Sequence, residues 1–176
     1  IALGENALNS TSGAAIKNIG IGTNALTALS SSDWNVAIGY DSQAASIHAD
    51  AHGNISIGFE TMSVGTSHFA HNVGIGTQSL KDITQGDENT CLGRLSGENI
   101  TTGSLNVFLG SGAGSVSTDV DNAIAIGYRA GYADMTADAD GTVAIGYNAG
   151  FAITSGIGNV AVGYQALDAE DDGDKN

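Results

Sequence analysis

The chain has 176 residues, with 26 Gly, no Pro, 41% apolar residues and a formal net charge of −14 carried by 19 acidic against five basic side chains. The apolar fraction is too high for a disordered chain, and no apolar run approaches the eighteen or so residues of a membrane span. The scattered cations Lys17, Lys81, Arg94, Arg129 and Lys175 form no basic patch for nucleic acid, and the single Cys91 excludes an intrachain disulfide framework or a Cys-rich zinc site.

Taken in order, the chain repeats itself. A Gly preceded by a branched aliphatic recurs as Gly4, Gly22, Gly39, Gly58, Gly76, Gly93, Gly110, Gly127, Gly146 and Gly163, at intervals of 17 to 19 residues. One residue before each stands Leu3, Ile21, Ile38, Ile57, Ile75, Leu92, Leu109, Ile126, Ile145 or Val162. Three before stands Ile1, Ile19, Val36, Ile55, Val73, Thr90, Val107, Ile124, Val143 or Val160, all β-branched. Two bulky positions one residue apart have the period of a strand, and β-branching favours the same conformation. The residue between them is small in nine coils of ten; Phe108 is the exception. The bulky face is expected to fill the coil. The small face, at Ala37, Gly74, Ala125, Ala144 and Ala161, is expected to receive a second backbone.

Four residues before the Gly stands Asn in seven coils: Asn18, Asn35, Asn54, Asn72, Asn89, Asn106 and Asn159; Ala123 and Thr142 depart. An amide at one fixed point of each coil can stack into a ladder. The Gly supplies a turn conformation that a side chain would forbid. Between motifs, stretches such as Asp82-Ile83-Thr84, Asn99-Ile100-Thr101 and Ala152-Ile153-Thr154 predict a second short strand. These features define an all-β, parallel β-solenoid of ten coils over residues 1–176, one repeat array with no internal domain boundary. The next Gly falls due four residues past Asn176, so the chain reads as a fragment of a longer fibre. A coil this thin buries little of its own surface, and with no disulfide to brace it the array predicts self-association.

Several residues invite chemistry. His48, His52, His68 and His71 cluster in two consecutive coils and are candidate metal ligands, although their spacing fits no known motif; solvated or receptor-facing loop residues are the default. Asp138-Ala139-Asp140-Gly141 resembles half a calcium loop but lacks the downstream Glu, so a solvated loop is preferred. Asp168 to Lys175 reads as a charged inter-coil turn. Tyr40, Phe59, Tyr128, Tyr147 and Tyr164 follow the Gly and predict stacked rings that brace the solenoid edge or offer themselves to sugars. There is no nucleophile elbow, P-loop or paired-carboxylate signature. Gly110-Ser111-Gly112-Ala113-Gly114 is the repeat written in small residues. The expectation is a non-enzymatic protein without cofactor.

The segments Asn35-Val36-Ala37-Ile38-Gly39-Tyr40, Ala144-Ile145-Gly146-Tyr147-Asn148-Ala149-Gly150 and Asn159-Val160-Ala161-Val162-Gly163-Tyr164-Gln165-Ala166-Leu167 resemble the head repeats of YadA-like trimeric autotransporter adhesins. They are still more similar to related repeats of phage tail fibres. The resemblance spans the chain and implies a left-handed parallel β-roll, three chains around a common axis, with a host cell-surface glycan or protein as partner and neither nucleic acid nor membrane insertion. The coils are longer than those of adhesin heads, which favours the fibre and a virion tail location. The alternative is an adhesin head on a bacterial surface. An ice-binding solenoid would need a regular Thr ladder, and Thr84, Thr101 and Thr154 are expected to skip coils. Receptor or ion contacts are expected in the two nineteen-residue intervals, the first carrying His48, Asp50 and His52, the second Tyr132, Asp134, Asp138 and Asp140.

Overall fold

The computed structural model describes residues 1–9, 17–29, 31–45, 51–65, 68–169 and 171–176. Ten strands follow one another: β1 (Ala2–Leu3), β2 (Ile19–Ile21), β3 (Val36–Ile38), β4 (Ile55–Ile57), β5 (Val73–Ile75), β6 (Thr90–Leu92), β7 (Val107–Leu109), β8 (Ile124–Ile126), β9 (Val143–Ile145) and β10 (Val160–Val162). They form one parallel sheet in sequence order. Equivalent positions pair directly, as Ile19↔Val36, Ala37↔Ser56 and Ile57↔Ile75. Each turn of chain therefore adds one rung, and the architecture is a parallel β-solenoid. No second strand forms in the described halves between motifs. Ile83, Ile100 and Ile153 there are buried, but each sits just past a turn and in no strand.

The side chains are arranged opposite to the sequence expectation. The small central residues point inward: Ala37, Cys91, Phe108, Ala125 and Ala144 are fully buried and Ala161 nearly so. The aliphatics on either side point outward, with Leu92 48%, Val160 56% and Val162 62% exposed and most others half-buried. The reason lies in the turns. The residues four, five and eight positions beyond the strands deliver their own apolar groups inside, among them Ala25 and Leu26, Leu29, Met62, Leu80 and Ile83. With the lumen filled from the turns, only Ala, Ser, Gly or Cys fits opposite them, since interiors pack to crystal-like density. The expected intermolecular contacts at Ala37, Gly74, Ala125, Ala144 and Ala161 are accordingly corrected, because those residues lie inside the coil.

Phe108 obeys the same volume rule. It points inward like its neighbours, and the room comes from two glycines. A Cβ on Gly114 would stand 2.7 Å from Phe108 Cζ, and one on Gly97 would stand 2.8 Å from Cys91 Sγ and 3.2 Å from Phe108 Cδ2. The position four residues past the turn Gly carries Leu26, Met62 or Leu80 elsewhere and Gly97, Gly114, Gly131 or Gly150 here, where a large group comes from another wall. Interior hydroxyls are satisfied by backbone carbonyls. Ser42 donates to Ser56 O at 2.8 Å, Ser79 to Cys91 O at 3.1 Å and Ser96 to Phe108 O at 2.7 Å. Burial pushes the Cys91 thiol well above its ordinary range, so the lone cysteine is an inert wall residue.

The backbone turns through the left-handed region repeatedly. Asn24, Asp41, Glu60, Gln78, Arg129, Asn148 and Gln165, two residues past the turn Gly, have φ between 51° and 59°. Leu8, Leu26, Met62, Leu80 and Leu167, two residues further on, have φ between 50° and 54°. Left-handed geometry costs a side-chain-bearing residue roughly 1–2 kcal/mol. It is held here by bonds between coils, as in Leu26 N–H to Ser42 O at 3.1 Å and Gln78 N–H to Phe59 O at 2.8 Å.

Candidate functional site

Rows of like residues run along the rod and decide what it presents. The asparagine row is internal. Each amide clasps the turn that leads into the next coil: Asn89 Nδ2 donates to Gly103 O at 2.8 Å, and its Oδ1 accepts from Asn106 N–H at 3.0 Å and Asn106 Nδ2 at 3.0 Å. The same pattern links Asn18 to Asn35, Asn35 to Asn54, Asn54 to Asn72 and Asn72 to Asn89. Asn106 bonds the N–H of Ala123, after which the row is interrupted; Asn159 resumes it with Asn176 N–H. Coil nine closes its own turn instead, with Thr142 Oγ1 donating to Ala139 O at 2.8 Å.

The turn glycines Gly39, Gly58, Gly76, Gly93, Gly110, Gly127, Gly146 and Gly163 have φ between 130° and 141°. Each but the last packs on the carbonyl of the next in the row. A third row, six residues before the Gly, was not foreseen. Asp87 accepts from Ala70 N–H, Asp121 from Ser104 N–H, Asp140 from Asp121 N–H and Asp174 from Ile157 N–H, at 2.7–2.9 Å. Asp140 is thus engaged in backbone support, while Asp138 sits exposed on a 3₁₀ turn, Ala137–Ala139, that lies within the lengthened interval from Gly127 to Gly146.

Threonines also line up where sequence spacing suggested gaps. Thr84 Oγ1 donates to Thr101 O, Thr101 to Thr118 O, Thr136 to Thr154 O and Thr154 to Asp171 O. The row occupies consecutive coils, contrary to the expectation that it skips them. Its hydroxyls are committed to neighbouring carbonyls or, at Thr118, to the Asp119 and Asp134 carboxylates, which takes away the donors an ice-binding face would present.

His48 and Asp50 lie outside the described residues. His52 and His71 stack edge to face with ring centres 5.3 Å apart, and Trp34 meets His52 at 6.4 Å with Lys17 Nζ 5.2 Å above the indole. His68 is exposed. Among the described residues no group of three or more His, Cys, Asp or Glu is placed to hold a metal ion, and no helix is long and apolar enough to cross a membrane.

The aromatic row is external. Tyr40 stacks on Phe59 at 5.4 Å, and Tyr128, Tyr147 and Tyr164 stack in series at 5.4 and 5.2 Å with interplanar angles of 15° and 9°. Both faces of Tyr147 are spent on its neighbours. Within the stack Tyr147 presents only its ring edge and hydroxyl, while Tyr164, stacked on one side, is 74% exposed. A shorter second series, Tyr132 on Phe151 at 5.2 Å, runs beside it. A shallow groove of mixed lining, with Asn24, Asp41, Glu60 and Lys81 beside Ala44 and Val64, crosses the early coils, and Asn24 Nδ2 and Gln78 Nε2 each bond one of its two carboxylates at 2.8 Å.

The outward face of the sheet runs the length of the ten strands. Two ladders, aliphatic but for Thr90, run over the ten strands, most of their side chains half-buried and Leu3, Ile55, Leu92, Val160 and Val162 exposed; continuous apolar surface of this kind marks an interaction face. Comparison with protein-family models, curated proteins and solved structures found no match for this chain.

Proposed function

We propose that the chain is a rod segment of an elongated, trimeric, surface-binding fibre of the phage tail-fibre kind. The observation that carries this reading is the outward aliphatic ladder, Ile19 and Ile21 through Val160 and Val162, unbroken by a charged side chain. A band of this length is costly in water at about 25 cal/mol per Å². A sister chain carries the same band at the same rise per coil, so parallel copies meet with every rung in step. Three chains around one axis, as the repeat resemblance implies, would bury it. The acidic remainder, at −14 per chain, keeps the assembled rod soluble and prevents lateral association. In this reading the segment belongs to a virion tail fibre, sets distance along it, and offers its flanks to a host cell-surface glycan or protein.

Sedimentation equilibrium is expected to give three times the chain mass of 17.6 kDa. Ile55→Asp, outward and 37% exposed, should reduce this to a single chain mass with the β-sheet circular dichroism retained. Ala125→Asp, inside the coil, should abolish the fold itself. A wild-type monomer, or an Ile55→Asp protein that still assembles, contradicts the reading.

A further inference from the structure

Lys17 stands over one aromatic ring, that of Trp34, whereas Arg129 stands over two. Arg129 lies two residues past Gly127 in left-handed backbone, φ 51°, and is exposed. Its guanidinium carbon stands 5.3 Å from the ring centre of Tyr128 and 4.9 Å from that of Tyr132. The two tyrosines, four residues apart in sequence, become flanking walls because the turn between them is left-handed.

Each wall is itself braced one coil further on, Tyr128 by Tyr147 and Tyr132 by Phe151, with interplanar angles of 15° and 6°. One coil earlier the row holds Gly112, buried, where a Cβ would lie 3.3 Å from Arg129 Cγ. The missing side chain leaves the arginine stem its place across the row. Two aromatic rings, each braced by another, thus flank one guanidinium, and a glycine makes room for its stem.

Ring contacts use the charge of a guanidinium and leave its five N–H donors free. Among the described residues no carboxylate pairs with Arg129 and no acceptor takes a hydrogen bond from its side chain. That is unexpected in a chain with 19 acidic residues. The second arginine, Arg94, is also exposed. It stands two coils earlier, roughly 10 Å along the rod, with Ser111 and Gly112 between. Glu98, the acidic side chain of that earlier coil, is occupied by Ser115 Oγ at 3.4 Å.

We propose that Arg129, between Tyr128 and Tyr132, is the receptor for an oxyanion on an acidic polysaccharide, the carboxylate of a uronic acid or a sulfate ester. Guanidinium geometry matches both groups with two parallel hydrogen bonds. Fixing the fork in advance removes most of the ordering cost of binding. The tyrosine edges and hydroxyls flank the sugar that carries the anion. This deepens the surface-binding reading above and rests on it for the polysaccharide nature of the surface.

The test is calorimetric titration of the whole chain, in its native oligomeric state, with an oligogalacturonate, a sulfated oligosaccharide and a neutral dextran oligomer. Acidic probes are expected to bind at least about 10-fold more tightly than the neutral one, and Arg129→Gln to lose about 10-fold or more. Arg129→Lys keeps the charge without the fork and should lie between. Comparing the uronate and sulfate arms identifies which oxyanion is taken. Arg129→Gln should fold normally, since Asn148 and Gln165 already occupy the row, and unchanged thermal melting checks this. Equal binding of the neutral probe, or of all probes by a folded Arg129→Gln, overturns the proposal. A trimer without arginine-dependent binding would leave the fibre reading standing and remove this one. A monomer that binds uronate or sulfate through Arg129 would do the reverse.

Discussion

Gly93→Ala is expected to destabilise the rod by more than about 3 kcal/mol, the sum of a forbidden backbone conformation and a collision. At φ 138° an L side chain is strained in any surroundings. The added Cβ would also lie 2.5 Å from Gly110 O and 2.6 Å from Gly110 C. Those are backbone atoms of the next coil, so relief requires the coils to part and the sheet bonds β6–β7 to stretch. Gly141→Ala is the control. Its φ is 75° and nothing lies within 4 Å of a Cβ there, so it should cost about 1 kcal/mol, the conformational share alone. Denaturant midpoints at matched protein concentration check both, because stability of an oligomer depends on concentration. Equal losses at the two sites would mean that the glycine row is not packed carbonyl on carbon.

Asn89→Ala should cost about 3–5 kcal/mol, since each buried polar group left without a partner costs about 1–3 kcal/mol. The substitution strands Asn106 N–H and Gly103 O, and it removes the Nδ2 donor to Asn72 Oδ1. All three belong to buried residues, Asn106, Gly103 and Asn72. Asn89→Asp keeps the acceptor for Asn106 N–H but faces Gly103 O without a donor, and should be comparably harmful. Coil nine shows how the fold manages without an amide below it. Thr142 satisfies Ala139 O from within its own turn, so the clasp is replaced locally. A loss below about 1 kcal/mol for Asn89→Ala would show that the clasp contributes no more than a solvated hydrogen bond.

The strands were legible because β-branched and branched residues recur at period 2 before every turn glycine. From Ile19–Ile21 to Val160–Val162 the expected pairs are the strand ends. The facing of the strand was not legible from that period, since a two-fold alternation is symmetric between inside and outside. The deciding signal stood elsewhere, in Ala25-Leu26, Ser79-Leu80, Leu29, Ile83 and Ile100. Those residues compete for the lumen from the turns, and a coil of seventeen residues cannot also admit two large aliphatics per strand. The left-handed turns had a trace as well. Gly97, Gly114, Gly131 and Gly150 occupy the place where other coils carry Leu or Met, a substitution pattern that marks unusual backbone geometry. The arginine clamp was hidden for the same reason. Tyr128 and Tyr132 are brought to one guanidinium only by that geometry, and linear spacing places them on unrelated parts of a turn.

The stacked-coil rod with its aliphatic band turned to sister chains is tested most directly by small-angle X-ray scattering of the intact chain. Forward scattering reports mass, and the pair-distance distribution reports length, in one solution. The account predicts a rod roughly 48 Å long for ten coils at strand spacing, with the mass of three chains of 17.6 kDa and a cross-section three coils wide. A rod of that length with the mass and cross-section of one chain would leave the aliphatic face in water and contradict it.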